Sequence, residues 1–191
     1  MIIRQVVNTI FRSCSYVLSN GHRSWMVDCG DVDRILPHID GDLDGVILTH
    51  AHFDHIYGLN TLLSLFPDVK VYTNQAGLEG LTSDRINLSK YYGDPFIFDK
   101  PELVQLVDDG MLINLFGDVN AKAVFTPGHS PDCITWLVNN VLFTGDCYIP
   151  NVKTVTNMPH SDKFLAAQSE AIIHQLAEQR TIYPGHAPEL T

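Results

Sequence analysis

Nothing in this 191-residue sequence approaches the ~18 uninterrupted apolar residues that a membrane-spanning helix needs. The opening stretch MIIRQVVNTIFRSCSYVL lacks a charged segment followed by a continuous apolar run, so no signal peptide is evident. A soluble, cytoplasmic protein without a membrane partner is expected. Positive charge is scarce: 12 Lys and Arg stand against 22 Asp and Glu, a formal net charge of −10. That balance argues against nucleic acid as a partner bound through a basic face, and bound divalent cations would offset part of it. The four cysteines, Cys14, Cys29, Cys133 and Cys147, are far apart and form no CxxC pair, so each reads as a small buried apolar residue. Linkers, charge runs and low-complexity tracts are missing too, which points to one domain over residues 1–191. With 45% hydrophobic and 18% charged residues, the chain is globular and can bury a real core.

What is present is mostly strand. IIRQVV, SYVLS and SWMVDCG are rich in Val and Ile or alternate in polarity, and Asn20-Gly21 between the last two favours a tight hairpin. GVILTH and DVKVYT are further strands. GLNTLLSLFP between them is helical, with Leu59, Leu62, Leu63 and Phe66 on one stripe and Pro67 ending it. Residues 77–99 are mixed, a short helix and a loop. Then LVQLV, MLINLF, AKAVFT, CITWLV and VLFTG crowd together, with turns at Asp109-Gly110, Gly117-Asp118 and Asn139-Asn140. Ser161 is expected to cap a helix over roughly 162–178, with Phe164, Leu165, Ile172 and Leu176 facing inward, before a last strand TIYP. Strands dominate both halves and helices lie between and after them. The expected class is α/β (α+β), with stacked sheets and outer helices rather than a regular βαβ alternation.

The chemistry concentrates in LTHAHFDHIYG, residues 48–58. In an extended segment residues two apart point the same way, so His50 and His52 can reach one point in space. As the chain bends toward the next helix, Asp54 and His55 become free to reach a second. Imidazole and carboxylate are the ligands that zinc and similar divalent ions accept. The pattern HxHxDH would arise by chance roughly 0.002 times in a chain of this composition, so chance is a poor account. Three more candidates end strands: AVFTPGH at His129, VLFTGD at Asp146 and TIYPGH at His186, each beside a glycine where a tight bend can turn a side chain inward. They complete a set of seven.

THAHFDH, followed by TPGHS, TGD and a terminal YPGH, resembles the metallo-β-lactamase superfamily, and most of all its hydroxyacylglutathione hydrolase (glyoxalase II) branch. VDCGD at 27–31 is similar to the family's early strand-and-turn segment. The resemblance implies an αββα sandwich, two mixed β-sheets flanked by helices, with metals at one edge. It implies that His50, His52 and His129 hold one ion, that Asp54, His55 and His186 hold another, and that Asp146 bridges them. Two divalent ions per chain are therefore expected, zinc first, with iron or manganese as alternatives. A cysteine takes the bridging position in the true β-lactamases most like this motif, whereas a carboxylate is usual in the thioesterase, lactonase and nuclease branches. The resemblance so points away from antibiotic hydrolysis, and Cys147, one place on, should face away from Asp146.

The expected activity follows. Metal ions lower the pKa of bound water from 15.7 to about 7, and hydroxide held between two of them would attack an ester-like carbonyl of a small-molecule substrate. A thioester is favoured because thiolate leaves readily, and Asp54 would orient the nucleophile and receive its proton. A lactonase of the same fold remains open, as does a persulfide dioxygenase with one iron on two histidines and a carboxylate, such as His50, His129 and Asp146. A non-catalytic relative would be expected to have lost ligands. The chain departs from glyoxalase II after His186, where Ala187-Pro188 replaces the usual aromatic residue, and at CYIPNVKTV, which lacks that family's Lys- and Tyr-bearing loop. It stops at Thr191, so the helical domain that helps bind glutathione is expected to be absent. Substrate-contacting residues stay unassigned. Lys153 either receives an anionic group or is solvated, Tyr91 and Tyr92 pack in the core or wall the pocket, and His22, His38, His160 and His174 lie at the surface, His160 having the pocket mouth as its alternative.

Overall fold

The computed structural model describes residues 1–188, so residues 189–191, the last three of the expected domain, lie outside the described residues. Two mixed sheets form. The first runs β1 (Ile2–Val7), β2 (Cys14–Ser19), β3 (Arg23–Val27), β4 (Asp42–Ile47), β5 (Lys70–Thr73) and β6 (Val104–Leu106) side by side, antiparallel as far as β3 and parallel beyond. In the second, β7 (Leu112–Phe116), β8 (Val119–Phe125), β9 (Ile134–Val138) and β10 (Val141–Gly145) are antiparallel neighbours, and β11 (Thr181–Pro184) adds in parallel to β10.

Strand alternation explains the layering. Tyr16, Leu18, Trp25 and Val27 point into a core shared with Ile113, Leu115, Trp136 and Phe143 of the other sheet. Their neighbours Val17, Met26 and Val46 point the opposite way, onto α1 (Val32–Ile35), α2 (Phe53–Ile56), α3 (Leu59–Leu65) and α4 (Gln75–Leu81). Every residue of β2 is buried because both of its faces are covered. On the other side, α5 (Lys163–Ala177) rests Ile173 against Cys133 and Cys147. All four cysteines are buried and unpaired, as expected. Among the described residues no helix is long and apolar enough to cross a membrane.

The late helix differs from expectation in two ways. Asp162, not Ser161, is its cap, accepting from the backbone N–H of Phe164 and Leu165 at 2.8 and 3.0 Å, while the Ser161 hydroxyl donates to the His129 carbonyl. Its inner face is Ala166, Ser169 and Ile173, whereas Phe164, Leu165 and Ile172 are exposed and Leu176 is half-buried. The reason is close approach. Ser169 donates to the Pro127 carbonyl at 2.7 Å, and Gly128, at φ +142°, passes so near that a Cβ there would lie 2.3 Å from the Ala166 nitrogen. Only the small-residue face of the helix fits against that loop.

Candidate metal centre

Five of the seven candidate side chains arrive beyond the carboxyl end of a strand, Asp54 and His55 ride on α2, and the structure brings all seven together. His50 and His52 follow β4, His129 follows β8, Asp146 follows β10 and His186 follows β11. The first loop is pinned from the second sheet. Trp136 Nε1 donates to the Leu48 carbonyl at 2.8 Å, the Ile134 N–H to that of Thr49 at 2.8 Å, and the Ala51 N–H is held by buried Asp132 at 2.6 Å. His52 then caps α2 with extended backbone. Asp54 and His55 thus diverge from His50 and His52 because they ride on a helical turn. At the far end a Cβ on Gly185 would lie 2.1 Å from Asp146 Oδ1, so only glycine lets β11 deliver His186 beside that carboxylate.

Four of the five histidines spend one ring nitrogen on an anchor. Thr49 gives its hydroxyl proton to Asp28 Oδ2 at 2.7 Å, which leaves its oxygen to accept from His50 Nδ1 at 3.1 Å. His55 Nδ1 donates to the same Asp28 oxygen at 3.0 Å, His129 Nδ1 to the Val155 carbonyl at 3.0 Å, and His186 Nδ1 to the Phe11 carbonyl at 2.8 Å. Each therefore presents Nε2 inward. His129 Nε2 lies 2.9 Å from His52 Nδ1, and His186 Nε2 lies 3.2 Å from Asp146 Oδ2 and 3.3 Å from Asp54 Oδ2.

Electrostatics divides the cluster. Burial, then the neighbouring His55 and His52, holds His50 well below the usual histidine pKa, and burial with His129 takes His52 down to about 4. Both stay neutral with a lone pair free. Burial also opposes charge on His55 and His186, but Asp54 and Asp146 outweigh it. His55 rises well above its ordinary value, and His186 reaches about 10. Burial is likewise overcome at Asp146 and Asp54, whose carboxyls fall below the usual range under the charges of His55 and His186. Two atoms are left over: His50 Nε2 and Asp146 Oδ1 are buried without a hydrogen-bond partner. An unpaired buried polar atom costs about 1–3 kcal/mol, which a bound cation would relieve.

The donor set suits divalent ions. Ligand atoms of His50, His52 and His129 lie within 4.8 Å of one another, as do those of Asp54, His55 and His186, and those of His50, His55 and Asp146. Imidazoles and carboxylates at such spacing are zinc-type donors once His55 and His186 give up a proton, and the anchored nitrogens of four histidines fix ring orientation in the usual way of metal sites.

Residues 11–186 match the family model described as the metallo-β-lactamase superfamily. The chain belongs to that superfamily. It is a superfamily of enzymes that includes hydrolases, and it binds divalent metals. Over 150 residues the chain is 29% identical to a hydroxyacylglutathione hydrolase of Francisella tularensis subsp. novicida (strain U112), covering 76% of this chain and 51% of that one. Over 182 residues it is 28% identical to an atrochrysone carboxyl ACP thioesterase of Aspergillus fumigatus (strain ATCC MYA-4609 / CBS 101355 / FGSC A1100 / Af293), covering 90% and 50%. The chain thus spans about half the length of the curated relatives it matches. In structure it is similar to BLEG-1 B3 metallo-β-lactamase, with a TM-score of 0.89 and 25% identity over 98% of this chain and 92% of that one. The superfamily fold read from THAHFDH, TPGHS, TGD and YPGH is the fold observed.

Other expectations fare unevenly. Cys147 does turn away from Asp146, toward Cys133 and Ile173. Tyr91 and Tyr92 do not pack in the core: they are 66% and 53% exposed, and Tyr92 walls the cleft above the metal ligands. The buried member of their short turn is Ser89, whose hydroxyl accepts from the Phe96 N–H. His160 is exposed at the rim of a recess beside His52, and His174 lies outside on α5, 3.5 Å from Glu170. Sequence reasoning does not reach Asp28, Thr49, Asp132 or the Phe11 carbonyl. Asp28 lay within VDCGD, where an acid ending an apolar strand was the available signal.

Proposed function

We propose that the chain is a hydrolase that cleaves an ester-like bond of a small-molecule substrate with two divalent ions, zinc first, and that a thioester is its substrate class. The observation carrying this is the division of ligands. His50, His52 and His129 would hold one ion and Asp54, His55 and His186 the other, with Asp146 within 3.5 Å of both His129 and His55. Bound there, the ions supply Lewis acidity and acidified water. Asp54, whose carboxylate lies 3.3 Å from His186 Nε2 in that group, would orient the attacking water and take up its proton. Departing thiolate needs little help from an acid. The names of the similar proteins support the class: one is a thioesterase and another a hydrolase of hydroxyacylglutathione.

A second reading is favoured by one feature. His50, His55 and Asp146, rather than the expected His50, His129 and Asp146, form a two-histidine, one-carboxylate set of the kind that holds a single iron in oxygenases. Elemental analysis combined with turnover of a thioester, lactone and β-lactam panel tests both. Thioester cleavage that disappears in His52→Ala and Asp146→Ala, but persists in His174→Ala, is the expected result. Full activity of metal-free Asp146→Ala protein would end the metal-dependent mechanism, and one iron per chain without hydrolysis would select the second reading.

A further inference from the structure

The geometry points to an apolar acyl group, about the size of a phenyl ring or a short alkyl chain, as the part of the substrate that this centre receives; the inference rests on the hydrolase reading above. Five of the seven converging side chains form the floor of one cleft, and its walls are Phe11, Phe53, Leu88, Tyr92, Val155 and Met158. No lysine or arginine is among the described residues lining it. The cleft is small, about 150 Å³ including the space the ions on its floor would fill, so a short alkyl chain or a single ring is the most it takes. Lys153, the cation that could receive an anionic group, is not on these walls but lines an adjoining recess of about 20 Å³ that shares His129, Asp146 and Val155 with the cleft. Apart from the Tyr92 hydroxyl the walls offer a polar or charged acyl group no side-chain partner, whereas an apolar one packs against Phe11, Phe53, Leu88, Val155 and Met158.

Two of the wall residues are displayed at a conformational cost. Phe11 and Tyr92 are 54% and 53% exposed, yet they meet edge to face with ring centroids 5.1 Å apart. Phe11 and Arg12 are successive non-glycine residues at φ +51° and +57°, and Leu88, which starts the turn leading to Tyr92, sits at +69°. Left-handed backbone in such residues persists only where surrounding structure holds it, and it clusters at binding sites. Here the hold is Asn8. Its side chain donates to the Ser13 and Ser15 hydroxyls, and its N–H donates to the Ser13 carbonyl, closing the 8–13 loop. The same loop lends the Phe11 carbonyl to His186 at 2.8 Å. One strained loop therefore orients a ligand histidine through its backbone and roofs the cleft with its side chain. Phe11 and Tyr92 set which acyl group fits.

The test uses the metal-loaded full chain and simple carboxylates, which are the hydrolysis products of such substrates, titrated calorimetrically. Affinity should rise about fourfold per methylene from acetate to butyrate and remain high for phenylacetate. Tyr92→Ala should flatten the rise to under twofold per methylene with metal content unchanged. Phe11→Ala, which keeps the carbonyl that serves His186, should do the same. Affinity independent of chain length in the wild type, or an undiminished rise in both variants, overturns the inference. Turnover of thioesters of one thiol separates the two levels. Faster cleavage of hydroxyacyl than of butyryl or phenylacetyl thioesters overturns the apolar acyl site and leaves the hydrolase. Chain-length-dependent carboxylate binding without any turnover upholds the site and removes the hydrolase.

Discussion

Asp28 Oδ2 lies 3.0 Å from His55 Nδ1, and both side chains are fully buried. That contact assigns the His55 proton to Nδ1 and aims Nε2 at Asp54 and Asp146. Asp28 also accepts from the Thr49 N–H and hydroxyl at 2.7 Å. Burial raises its carboxyl pKa, while His55 and Thr49 pull it back. A single residue behind the cluster thereby orients His55 directly and His50 through Thr49.

Replacing Asp28 with asparagine should therefore weaken metal binding without emptying the core. The introduced amide can donate to Nδ1 and so favour the wrong tautomer of His55. A loss of roughly 10- to 100-fold in affinity is expected from removing such a supporting partner, read by competition with a chelator. Unchanged affinity would mean that Asp28 is only a core residue.

Asp132 plays the matching part for the other half. Its carboxylate holds the Ala51 N–H between His50 and His52 and accepts from the Ser130 hydroxyl. Asp132→Ala leaves that buried N–H without a partner, a cost of about 1–3 kcal/mol, and should lower both the melting temperature and occupancy of the His50, His52 and His129 group. Thermal unfolding with and without metal gives the two readouts.

Gly185→Ala should act by displacement. Its methyl group would meet Asp146 Oδ1 at 2.1 Å and the Gly145 carbonyl carbon at 2.7 Å, and backbone cannot simply rotate away. Overpacking of this kind costs about 1–3 kcal/mol. Metal content should fall with stability, since Asp146 is the group pushed; full metal content in the variant would argue that Asp146 is dispensable.

Metal uptake should be coupled to protons. Burial works against charge on His55 and His186, yet Asp54 and Asp146 raise His55 well above 6.5 and His186 to about 10. A raised pKa means that the metal-free protein still holds these protons at neutral pH, and each must leave before Nε2 can bind a cation. Affinity should accordingly climb as pH rises from 6.5 toward 10, and binding at pH 7 should release protons. Calorimetry in buffers of different ionisation enthalpy detects the release; identical enthalpies in all buffers would contradict it.

The ligands were legible because spacing and chemistry coincide in them. His50, His52, Asp54 and His55 sit within one short segment, and His129, Asp146 and His186 each follow a β-rich run and a glycine. Their supports were not, since Asp28 and Asp132 reach the cluster only through pairing between distant segments, at sequence separations of 27 and 81 residues. The face of α5 was misjudged for a related reason. Periodicity reads Phe164, Leu165 and Ile172 as inward, but steric fit against Gly128 decides in favour of Ala166 and Ser169. Tyr92 looks like a core residue by type, and only the partner ring of Phe11, 81 positions away, gives it an exposed role.

Metal stoichiometry of the full chain purified without added metal, measured together with His52→Ala and His55→Ala, bears most directly on the central claim. Two ions per wild-type chain and about one in each variant are expected, because the substitutions fall in different ligand groups. Wild-type protein that takes up no divalent ion, even when one is supplied, would contradict it.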